Sequence, residues 1–240
     1  MSATTLIWVE ILFNVGYLIA IWAIVALMAL RQEAVAPADR GVARRFMLAF
    51  ALLALGDTGH VGFRVLAYAQ GGLEANPTLV GLGALSTAYT VTLFYMLMLD
   101  IWRLRYRQPL GWFGWLLLGA GIVRLGIMAF PQNQWDQLVA PYNWSLLRNA
   151  FLTIQGVGVM ALILRDSIRT GDTPFQWIGG MIALSFLFYA PVILWVAQVP
   201  MLGMLMIPKT LAYVAIAVIA YRALWVAHAP QPRPLESAAA

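Results

Sequence analysis

A chain of 240 residues that is 62% hydrophobic and 10% charged is far from a soluble domain, in which roughly a quarter of residues carry charge. It contains no cysteine, so disulfides, thiol redox chemistry and thiolate metal sites are excluded. The net charge of +5 rests on arginines in short clusters between apolar runs, a pattern of topology determinants rather than of nucleic-acid binding.

A hydrocarbon core of about 30 Å needs about 20 apolar helical residues. Seven stretches qualify: Thr5–Leu30, Phe46–Ala69, Thr78–Trp102, Gly111–Phe130, Trp144–Leu164, Phe175–Val199 and Met201–Trp225. The first is too long for a signal-peptide core and is not preceded by a basic residue, so it is expected to stay in the protein. It carries Glu10, Asn14 and Tyr17, whose spacings of four and three place them on one helical face.

The second span holds Asp57, His60 and Arg64 at spacings of three and four, again a single stripe. Glycines at 56, 59 and 62 let a neighbouring helix or a ligand approach its backbone. The third span carries no charge until Asp100, which sits beside an arginine cluster and reads as its partner at the interface. The fourth carries Arg124, and the loop after it, from Pro131 to Asp136, is placed to cover the outer end.

Span five begins with Asn143, Arg148 and Asn149, and Gln155 follows two turns after Arg148 on the same face. Span six supplies Ser185, Tyr189 and Pro191, and the proline frees a backbone carbonyl. Pro200 breaks the chain before span seven, so the last two spans are expected to form a tight hairpin. Lys209, the single lysine of the chain, follows Pro208 in span seven, and Tyr213 lies one turn further on. The tail over 228–240, with its Pro-Gln-Pro-Arg-Pro run, reads as a disordered cytoplasmic extension.

Basic residues occupy the loops after spans one, three, five and seven, whereas the N-terminus and the loops after spans two, four and six have none. The positive-inside rule then puts the N-terminus outside and the C-terminus in the cytoplasm. We expect one all-α domain over 1–227, a seven-transmembrane-helix bundle, multi-pass in a bacterial inner membrane.

Apart from Asp100, the ionisable residues of the spans fall at the midplane or in the outer half. Arg64, Arg124, Arg148 and Lys209 oppose Glu10 and Asp57 there. An excess of about two positive charges in one interior is several kcal/mol unfavourable without an anion or water. The expected function is therefore binding, with transport or processing as extensions, of a small anionic or amphipathic ligand such as a lipid headgroup. The expected ligand-binding set is Lys209, Arg64, Arg124, Arg148, Glu10, Asn14, Gln155, Asn149, Tyr189 and Tyr213.

Two alternatives stand beside that reading. Asp57 and His60 are candidate catalytic residues of a membrane-embedded lipid hydrolase, as an acid–base pair. Alternatively, the polar layer serves helix packing in a sensory or structural subunit of a membrane complex or homo-oligomer. The arginines also have a plain use, snorkelling to lipid phosphates. The chain has two histidines, of which His228 lies beyond the last span, so neither a metal nor another cofactor is expected. Membrane lipid is the expected partner, and nucleic acid is not.

Gly56-Asp57 is similar to the Gly-Asp pair carried in a span by lysoplasmalogenase-like proteins, a two-residue match that carries no function across. A lysine in the seventh span is also found in microbial rhodopsins, but Leu205 stands where those proteins have an aspartate.

Overall fold

A computed structural model of the chain describes residues 3–226, with side chains from position 11 onward. The Glu10 side chain and the tail over 228–240 lie outside the described residues. Seven α-helices run in chain order: α1 Ala3–Leu30, α2 Arg40–Ala69, α3 Pro77–Arg105, α4 Gly111–Met128, α5 Tyr142–Thr170, α6 Thr173–Trp195 and α7 Met206–Tyr221. No strand occurs among the described residues. Seven spans built on these helices are long and apolar enough to cross a membrane.

Local chemistry sets the helix ends. Pro77 opens α3 at a position where its missing N–H is not needed. Gly171, in the left-handed region at φ +69, closes α5 and allows α6 to start two residues later. Each helix packs on its chain neighbour, α7 returns onto α1, and α4 lies against α3 and α5, which also touch each other. The closest pair is α2 with α3. A methyl group added at Gly56 would fall on Thr90, and one at Gly59 on Ser86, so the two backbones approach through small residues.

The half of the bundle nearer the arginine loops is filled with rings. Phe46 packs on Phe50 and Phe175, and Phe50 packs edge-on against Phe94. At the end of that half, Asp100 pairs with Arg45 and Arg103, Asp166 with Arg165, and Arg105 bridges Asp39 and Asp172, each at 2.8 Å. Asp100 thus has arginine partners, as expected from its place beside the cluster.

The seventh span runs over Pro200–Val226, close to the expected Met201–Trp225, but its helix type changes along it. It is not one helix from Met201: α6 ends at Trp195, a 3-10 run covers Pro200–Leu205, and α7 begins at Met206. Pro208 has no N–H to give and is tolerated in a first helical turn, which fixes where α7 can start. Lys209 therefore stands in the first turn of α7, within the apolar span that runs over Pro200–Val226. At the other end a π-helical turn over Arg222–Val226 directs Trp225 back onto α1, where its Nε1 donates to the Met28 carbonyl at 2.9 Å.

Candidate functional site

Polar side chains from all seven helices meet in the half of the bundle away from the arginine loops. They fall into three groups. In the first, Tyr17 of α1 donates to Asp57 Oδ2 at 2.7 Å and Thr87 of α3 donates to Asp57 Oδ1 at 3.2 Å. Both carboxylate oxygens of Asp57 are thus engaged by hydroxyls. Asn14, half-buried, lies one turn from Tyr17 and makes no hydrogen bond among the described residues.

The second group joins α5, α6, α7 and α3. The Lys209 ammonium lies 4.0 Å from the centre of the Tyr189 ring and 6.0 Å from that of Tyr213. Tyr189 donates its hydroxyl to Asn149 Oδ1 at 3.1 Å, and the Tyr213 and Tyr95 hydroxyls share a hydrogen bond of 2.7 Å. Lys209 feels the attraction of Asp57 and the repulsion of Arg124, yet forms no ion pair or hydrogen bond among the described residues. Ring faces offer an ammonium a cation–π attraction but accept none of its three N–H bonds in the ordinary sense.

The third group centres on Arg124, which is 2% exposed. Its Nε donates to the Arg148 carbonyl at 2.9 Å, and its Nη1 donates to the Ala88 carbonyl at 2.7 Å and to the Thr92 hydroxyl. Arg124 thereby ties α4 to α3 and α5. Arg148 is directed at the covering loop: its Nη1 donates to Asn133 Oδ1 at 3.1 Å and its guanidinium stacks 4.5 Å from the Trp135 ring. Asn133, fully buried, donates to the Ile127 and Phe130 carbonyls, and Trp135 donates to the Met128 carbonyl. A methyl group on Gly81 of α3 would fall on the Trp135 carbonyl, so the loop rests backbone to backbone on the bundle.

The remaining expected residues sit at the edges of these groups. His60 packs its backbone on Gly83 of α3, and its buried Nδ1 has no hydrogen-bond partner. No described hydrogen bond joins His60 to Asp57. Arg64 is half-buried and engaged in a polar interaction of its own. Gln155 is fully buried against Gly121 and Met96, and neither end of its amide has a partner.

Thr87, Thr92 and Tyr95 complete the layer without having been singled out from the sequence, and Asn133 and Trp135 come from the loop expected to cover it. The hydroxyl-rich run from Ser86 to Thr92 was the available signal for Thr87 and Thr92. Lys209, Arg124 and Arg148, in the half away from the arginine loops, thus have no carboxylate ion pair among the described residues, whereas every ion pair given above lies at the arginine-rich end. No family model matches the chain, and neither the curated proteins nor the solved structures compared with it give a match.

Proposed function

We propose that the seven helices form a multi-pass membrane protein with its arginine-rich end in the cytoplasm of a bacterial cell. In this reading the polar half binds a small anionic or amphipathic ligand, such as a lipid headgroup, with Lys209 as the anchoring cation.

One observation carries this reading: Lys209 has aromatic faces but no acceptor among the described residues. An anionic oxygen would supply the acceptor that the ammonium's N–H groups lack there. Arg124 and Arg148 add positive potential but have structural duties, so they contribute field rather than direct contact. The acid–base alternative has weaker support, since Asp57 is held by Tyr17 and Thr87 rather than by His60.

The test uses the purified protein and a short-chain alkyl phosphate as probe. Wild type should be stabilised against heat, Lys209→Arg should keep most of the effect, and Lys209→Met should lose about tenfold in apparent affinity, the scale of one charge-assisted contact. Equal protection of wild type and Lys209→Met refutes the assignment.

A further inference from the structure

At the arginine-rich end the C-terminus of α3, the C-terminus of α5 and the start of α6 surround a recess of about 840 Å³. Its charged lining is Arg105, Arg107, Asp166, Arg169 and Asp172. Three of these are already spoken for. Arg105 is bridged to Asp39 and Asp172, and Asp166 takes both a bidentate contact from Arg165 and the Trp102 Nε1–H at 2.9 Å. Burial and the Asp172 carboxylate push the Tyr106 phenol well above its ordinary pKa, so it remains a donor to Asp172 at 3.3 Å.

Two guanidiniums are left over. Arg107 and Arg169 are exposed, line the recess and form no ion pair or hydrogen bond among the described residues. Arg107 also occupies the left-handed region at φ +52, just past the end of α3, where the Gln108 N–H reaches back to the Arg103 carbonyl at 3.0 Å. Glycine is the usual residue there, and an arginine costs about 1 kcal/mol in backbone strain. Gln108 and Thr173 add an uncharged amide and hydroxyl to the rim.

We infer that this recess is a second binding site, separate from the polar half, for a phosphate-bearing ligand held between Arg107 and Arg169. Each carboxylate of the wall has an arginine against it, and the three arginines and two aspartates of the lining leave an excess of one positive charge. Arginine's planar fork matches a phosphate by paired N–H···O bonds, which the amide of Gln108 and the hydroxyl of Thr173 can supplement. The recess opens where three apolar helices end, at the level of phospholipid headgroups in the reading proposed above. The phosphate can come from such a headgroup or from a soluble phosphate compound.

The experiment follows thermal stability of the full-length protein in non-ionic detergent, in a Lys209→Met background so that the polar half does not contribute. Probes are dioctanoyl phosphatidylglycerol, dioctanoyl phosphatidylcholine and inorganic phosphate. Phosphatidylglycerol should protect, and Arg107→Gln with Arg169→Gln should weaken that protection about tenfold, the loss of one or two charge-assisted contacts. Arg31→Gln, at an exposed arginine of the same end outside the recess, should leave it unchanged. Protection by phosphatidylglycerol without protection by phosphate assigns a lipid headgroup, and equal protection by both assigns a soluble phosphate compound. If neither protects, if the double variant binds as wild type does, or if Arg31→Gln loses as much, the site is refuted. Should the double variant not fold, the two single variants, both at exposed positions, carry the same comparison. Loss of protection at Lys209 alone would bear on the polar half and leave the recess intact.

Discussion

At the scale of single residues, two buried polar side chains of the same layer have opposite energetics. Arg124 is fully employed, donating to two carbonyls and a hydroxyl from neighbouring helices. Replacing it by Met should cost about 2 kcal/mol, the sum of a few membrane hydrogen bonds of about 0.6–1 kcal/mol each, read as a shift in a denaturant unfolding curve. Gln155 is equally buried, but neither end of its amide has a partner. An unsatisfied buried amide costs about 1–3 kcal/mol, so Gln155→Met, similar in shape, should melt at or above the wild-type temperature. A lower melting temperature would show that a water or ligand satisfies the amide. The sequence marked both positions as polar within a span but did not distinguish them. Arg124's acceptors are backbone carbonyls and a threonine, which leave no charge pattern to read.

At the scale of elements, the seven helices were legible because apolar length and arginine loops are additive along the chain. What escaped was the start of α7, where Pro208 and a 3-10 run shift the helix to Met206. Lys209 keeps its place inside the span Pro200–Val226, but the backbone before it is 3-10 rather than α. The contact between α2 and α3 gives a direct test of packing. Gly56→Ala sets a methyl group on Thr90 and should destabilise by about 1–3 kcal/mol, the range of overpacking. Gly16→Ala has no atom within 4 Å of the new methyl group and should be neutral or slightly stabilising, through the better helix propensity of alanine. Comparable losses for both would mean that α2 and α3 are not packed through Gly56.

At the scale of the whole molecule, the absence of cysteine makes orientation directly measurable. Single cysteines at exposed Arg107 and Gln137 lie at opposite ends of the bundle. In intact spheroplasts, a membrane-impermeant maleimide should label Gln137→Cys and leave Arg107→Cys unlabelled until the cells are lysed. The reverse pattern would invert the proposed topology and, with it, the compartment that each site faces. The site itself was less legible than the topology. The sequence indicated which half is polar, but the pairing of Tyr17 with Asp57 and of Lys209 with Tyr189 depends on how the helices turn about their own axes.

The loop over Pro131–Asp136 closes one side of this end of the bundle. Asn133 and Trp135 pin it to α4, Arg148 holds it from α5, and its peptide carbonyl rests on Gly81 of α3, whereas Lys209 lies against α6. Just before Lys209 in the chain, Met204 and Met206 present apolar side chains outward, 47% and 37% exposed. A ligand that arrives sideways is drawn from the bilayer, and its occupancy follows its partition coefficient rather than its concentration in water. Within a series of alkyl phosphates, each added methylene should then raise the apparent aqueous affinity about threefold to fourfold, the equivalent of about 0.8 kcal/mol of transfer. An affinity independent of chain length would mean that the ligand enters from water.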